Sequence, residues 1–136
     1  MITQTAKAIK QKFDSSSNLQ SLLSGGFYFT QAPQDVTSPW GTFMFIGSSD
    51  EEIMGASADV NLREVEIQVS LFSEKPDGGE EISLVTEIFT DVFDWTDLHV
   101  GEYSVYKVRR FNIGAITFID ETWQSNISYE IGMQKE

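Results

Sequence analysis

Arg63-Glu64-Val65-Glu66-Ile67-Gln68-Val69-Ser70-Leu71-Phe72 is the stretch on which the fold turns. Val65, Ile67, Val69 and Leu71 alternate with Glu64, Glu66, Gln68 and Ser70, and successive strand side chains point to opposite faces. The run therefore predicts a strand with one buried and one wet face. Glu74-Lys75-Pro76-Asp77-Gly78-Gly79 then breaks the strand, and Glu80-Glu81 places carboxylates where the positive end of a helix dipole favours them. Next, Ile82, Leu84, Val85, Ile88, Phe89, Val92, Phe93 and Trp95 cover about half a helix circumference at ~100° per residue, leaving Thr86, Glu87, Thr90, Asp91 and Asp94 on the other half. An apolar half this broad exceeds a coiled-coil seam and fits a helix lying flat on a sheet.

On the N-terminal side, Ile2, Ala6, Ile9 and Phe13 form a narrow helical stripe. Ser15-Ser16-Ser17-Asn18 interrupts it, Leu19, Leu22 and Leu23 resume it, and Gly25-Gly26 ends it. A broken first helix is expected. Phe27 to Gln31 and Thr42 to Ile46 read as strands joined through Ala32-Pro33 and Ser38-Pro39. The small, polar stretch at about 47–61 reads as an extended loop or hairpin tip. On the C-terminal side, Tyr103 to Phe111 and Ala115 to Ile119 read as strands, and Trp123 to Met133 repeats the period-2 alternation. The order predicts an α+β fold: a mixed, mostly antiparallel sheet of four to six strands with two helices on one face, in a single domain spanning 1–136.

Composition narrows the function. The 136 residues are 40% hydrophobic and 22% charged, as in a folded globular chain. Nine Lys+Arg against 21 Asp+Glu leave a net charge of −12, which repels nucleic-acid backbones and anionic membranes. Three of the basic residues, Lys7, Lys10 and Lys12, sit in the first helix. With no cysteine, disulfides and thiolate metal sites are excluded. No signal-peptide core and no membrane-spanning apolar run are legible, so a soluble intracellular product with no membrane partner is expected.

No motif carries catalysis. His99, the sole histidine, lies in Asp97-Leu98-His99-Val100-Gly101, where a general base beside Asp97 is conceivable, but no serine or cysteine motif accompanies it. Asp50-Glu51-Glu52 lacks the alternating ligands of a calcium loop and reads as a solvated tip. Lys107, Arg109 and Arg110 form the one basic knot outside the first helix, and strand period sends Arg110 to the face opposite the other two. Trp40, Trp95 and Trp123 read as core or interface anchors, with a ligand-stacking pocket as the alternative. No catalytic residue, metal site or cofactor is expected.

The chain resembles the tail-completion and tail-terminator proteins of long-tailed bacteriophages. Three segments carry the likeness in order: Ala32-Pro33 ahead of Ser38-Pro39-Trp40 and the strand Thr42 to Ile46; Val65 to Ser73 running into the helix Gly79 to Trp95; and Trp123 to Ile131. The resemblance implies a non-enzymatic virion protein, assembled in the host bacterial cytoplasm, that forms a homohexameric ring at the head-proximal end of the tail tube. Such a ring stops tail polymerisation, joins the tube protein to the head connector, and lets DNA through without specific binding. Its subunit or partner interface would then draw on Asp50, Glu51, Glu52, Ile53 and Met54 and on Lys107 and Arg109. Another neck component, such as a head-closure or adaptor protein, and a small monomeric ligand-binding domain are the alternatives.

Overall fold

The computed structural model describes residues 2–52, 61–75, 78–94, 96–101 and 103–135. Among these the chain forms α1 (Ile2–Ser15), α2 (Ser17–Leu22), β1 (Phe27–Phe29), β2 (Trp40–Glu52), β3 (Asn61–Ser73), α3 (Gly78–Phe93), β4 (His99–Val100), β5 (Tyr103–Ile113), β6 (Thr117–Ile119) and β7 (Thr122–Lys135). The strands make one sheet in the order β1-β2-β3-β7-β5-β4, with β6 paired to β7 beyond the end of β5. β1 runs parallel to β2 and every other pairing is antiparallel, so the fold is α+β with a mixed, largely antiparallel sheet. The strand beyond those read from sequence is His99–Val100. Two residues are too few to show a period, and pairing with Tyr103–Ser104 across Gly101 is what extends them.

The alternation in β3 plays out as expected. Val65, Ile67, Val69 and Leu71 are almost wholly buried. They share a face with Phe43 of β2 and with Ile127, Tyr129 and Ile131 of β7, and α3 covers that face. Residues 64, 66, 68 and 70 face the other side, which carries no helix among the described residues. Alignment across β3 is one residue per rung over the whole ladder with β7, as expected where a slip would turn the core face to water.

The helix is narrower in its burial than its sequence suggests. Ile82, Val85, Phe89 and Phe93 are buried, but Leu84 is 49% exposed, while Thr86 and Thr90 are buried. Hydrogen bonds make this possible: Thr86 Oγ1 donates to the Ile82 carbonyl at 2.7 Å and lies 3.0 Å from Ser125 Oγ on β7. Thr90 Oγ1 donates to the Glu87 carbonyl at 2.9 Å. A hydroxyl satisfied in this way can be buried without the usual penalty, so hydropathy alone misassigns both threonines.

The first helix breaks where the serines stand. Ser16 caps α2, its side chain accepting from Leu19 N. Ala8, Ile9 and Phe13 of α1 enter the same core. α1 packs against β1 at one edge of the sheet and β4 at the other. At ~1.5 Å per residue its 14 residues reach about 21 Å, close to the ~24 Å spanned by six strands, so one helix is long enough to reach from edge to edge. Phe27 anchors this end, with ring centroids 5.1, 4.9 and 5.6 Å from Phe13, Phe43 and Phe89. Gly41 leaves room for it: a Cβ there would come within 2.9 Å of the Phe27 ring.

Candidate assembly interface

The basic knot on β5 divides as strand period requires. Lys107 and Arg109 stand on the open face of the sheet. Lys107 Nζ is 3.0 Å from Glu64 Oε1 and 3.4 Å from Glu130 Oε2, and Arg109 Nη2 is 3.2 Å from the same Glu130 oxygen. The four residues come from three adjacent strands. Hydrogen bonding to Lys107 holds the Glu64 carboxyl below its usual range, and the same bond raises the Lys107 ammonium. Arg110 turns to the helical face, 3.6 Å from Asp94, whose carboxylate also accepts from the Tyr129 hydroxyl at 2.9 Å. Burial, then this bond, push the Tyr129 hydroxyl well above its ordinary value.

Two register shifts interrupt β5 against β7, between Val105 and Lys107 and between Arg110 and Asn112. Past the second, the strand leaves the core and carries apolar side chains into solvent. Phe111 (47% exposed), Ile113, Ile116, Phe118 and Ile119 (63%) fall within nine residues. An exposed Phe or Ile is ordinary when isolated, but five within nine residues of one short arm are more than a surface segment usually shows, and they stand on both of its faces, Phe118 on the rung of Trp123 and Ile119 on that of Thr122. Sequence reading placed strands here and missed the patch. The signal was present in the absence of alternation: Phe111, Ile113, Ile116, Phe118 and Ile119 do not repeat at one fixed period, so no single face could bury them all.

A second, smaller group lies across the sheet, where Met44 and Ile46 of β2 are 41% and 51% exposed. Ile46 sits at a register shift between Phe45 and Gly47. β2 pairs with β3 as far as Glu52 opposite Asn61. Asp50, Glu51 and Glu52 thus lie on the terminal rungs of this ladder, while Ile53 and Met54 fall outside the described residues. The acidic and basic candidates are not brought together within one chain, since β3 and β7 separate β2 from β5.

Chemistry of other kinds finds little support. His99 is an exposed residue on the edge strand β4. Among the described residues there is no group of three or more His, Asp or Glu that could hold a metal ion, and no helix is long and apolar enough to cross a membrane. Trp40 stacks on Phe72 with centroids 5.1 Å apart, whereas Trp123 packs against Gly78, Gly79 and Phe118. Their β3 rungs, Phe72 for Trp40 and Ser73 for Trp123, are successive, so the two tryptophans lie on opposite faces and share no pocket. Trp95 falls outside the described residues. In an open cleft of about 550 Å³ between α2 and α3, bordered by Ser21, Leu22, Pro39, Glu81 and Leu84, the Glu81 carboxylate is already taken by Ser73 and Lys75.

No protein-family model matches the chain, and no curated protein matches it. Several solved structures share its fold, two of them over nearly its whole length. One is a component of the virion of a native gene transfer agent particle, with a TM-score of 0.75, 8% identity, and coverage of 94% of this chain and 92% of that one. The other, which bears no functional name, has a TM-score of 0.72 and 12% identity, covering 100% of this chain and 97% of its own.

Proposed function

We propose that this chain is a structural virion protein that works by self-association: a ring, hexameric in the reading favoured here, at the head-proximal end of a phage tail tube. The ring ends tube polymerisation, meets the tube protein on one side and the head connector on the other, and performs no catalysis. The observation that carries this reading is the solvent-exposed apolar arm from Phe111 to Ile119, a surface a solitary soluble protein has reason to avoid. The whole-length likeness to a virion component supports the setting, since it spans nearly all of both chains.

Charge fits the role. A passage for DNA must not hold it, and clustered Lys/Arg would bind phosphates by counterion release. Here the cations of β5 are neutralised by Glu64, Glu130 and Asp94, and the chain carries a net −12. The test is assembly of the intact protein at rising concentration, read by light scattering and negative-stain imaging. Closed rings support the proposal, and a particle that stays monomeric at all concentrations, alone and with tube protein, overturns it. A monomeric ligand-binding domain has less support, because Trp40 and Trp123 stand on opposite faces of the sheet.

A further inference from the structure

The sheet has two unlike free edges. On one side β1 covers β2 only through Phe43, so among the described residues Met44–Glu52 has no strand on the side away from β3. On the other, β4 covers β5 only at Tyr103 and Ser104, so among the described residues Lys107–Ile113 has no strand on the side away from β7. Exposed edges recruit other strands unless they are blocked. Both carry exposed apolar residues at one end, Met44 and Ile46 on β2 and Phe111 and Ile113 on β5. At the other end they carry opposite charge in sequence, Asp50-Glu51-Glu52 on β2 and Lys107, Arg109 and Arg110 on β5.

Building on the ring reading, we propose that successive copies join by pairing the Met44–Glu52 edge of one antiparallel to the Lys107–Ile113 edge of the next, so that the sheet runs on from subunit to subunit. Direction favours it. β2, β3, β7 and β5 alternate in sense, so a following β5 set beside β2 in an unbroken sheet is antiparallel to it. Register favours it too. With Gly47 opposite Asn112, and the irregularity at Phe111 passed over, Ser49 comes opposite Arg109 and Glu51 opposite Lys107. Ile46 then meets the end of the strand at Ile113.

Self-pairing of either edge fits less well. β5 against β5, centred on Arg110, would set Lys107 against Ile113 and Arg109 against Phe111. β2 against β2, centred on Ser48, would set Glu52 against Met44 and Asp50 against Ile46. Only the unlike pairing sets an apolar residue beside an apolar one, Ile46 with Ile113, and an acid beside a base, Glu51 with Lys107, whose ammonium is shared with Glu64 and Glu130 of its own chain. Contacts between unlike surfaces generate rings when the rotation closes, whereas like-to-like contacts stop at a dimer.

The chain has no cysteine, so an engineered disulfide reads the contact directly. Gly47 and Asn112 both lie on the open face, by their rungs opposite Glu66 and Ser128. Gly47 has open space for a Cβ, and Asn112 is exposed. Full-length Gly47→Cys/Asn112→Cys, oxidised after assembly, should give a ladder of covalent multimers on a denaturing gel. Gly47→Cys alone and Asn112→Cys alone should give no covalent dimer, and a mixture of the two should give a dimer and nothing larger. Light scattering before oxidation separates the two claims. Rings that form without a ladder overturn the edge pairing and leave the ring reading intact, and absence of rings overturns both. Covalent dimers from a single variant overturn the edge pairing in favour of like-to-like contact.

Discussion

Ile119→Ser isolates the apolar arm from the rest of the molecule. Ile119 is 63% exposed at the end of β6, and its neighbours in the arm are themselves wet, so the substitution removes almost no core contact. Burying a whole Ile side chain contributes about 1.5–3 kcal/mol, so covering the exposed part at a subunit contact would contribute about 1–2 kcal/mol. Area converts poorly to absolute affinity but serves for a difference between two variants of one surface. Each interface should therefore weaken by roughly 5- to 30-fold, taking 1.4 kcal/mol as tenfold. The concentration at which rings appear should rise by at least that factor, measured by sedimentation velocity across a dilution series. The unfolding free energy of the dissociated chain should change by less than the ~0.5 kcal/mol typical of a surface substitution. Unchanged assembly, or a fall in monomer stability as large as the fall in assembly, would show that the arm is not a contact surface.

Three further outcomes follow from the interior and the charge cluster. Thr86→Val strands the buried Ser125 hydroxyl on β7 and should lose about 1–3 kcal/mol in urea denaturation, while Thr86→Val/Ser125→Ala should recover most of that loss; additive losses would contradict the pairing. Phe27→Ala, at the meeting point of three other phenylalanine rings, should cost about 3–5 kcal/mol and lower the melting midpoint by more than ~10 °C. Glu64 titrates below its ordinary 4.5 because of Lys107, so its stabilising effect is present above that pH and disappears as the pH falls through the depressed value; Lys107, raised above 10.5, holds its part below that pH and loses it in stronger alkali. Between pH 7 and 3, Glu64→Gln should accordingly lose less stability than the unmodified protein, and equal losses in the two would refute the coupling.

The parts of this fold that were legible in the sequence share one property: a single local rule decided them. Period 2 in residues 63–72 and 123–133 set two central strands and their buried faces, and the polar interruption Ser15-Ser16-Ser17-Asn18 with Gly25-Gly26 set the broken helix. Thr86 and Thr90 were misassigned because their burial depends on bonds to Ile82, Ser125 and Glu87 that hydropathy does not encode. β4 was unreadable because two residues become a strand only through their partner. The same limit applies to the interface. Lys107 and Arg109 were visible as a knot of charge, but their neutralisation by Glu64 and Glu130 depends on residues brought together from 43 and 21 positions away. The apolar arm was passed over because an exposed hydrophobic residue and a buried one look alike until the core is known to be complete without it.

Self-association is the claim on which the function rests, and native mass spectrometry of the purified full-length chain addresses it most directly. A closed species at a single multiple of the 15.3 kDa chain, six for a hexameric ring, should grow in with concentration and take no further subunits. A mass that stays at 15.3 kDa across that range, also in the presence of tube protein, would contradict it.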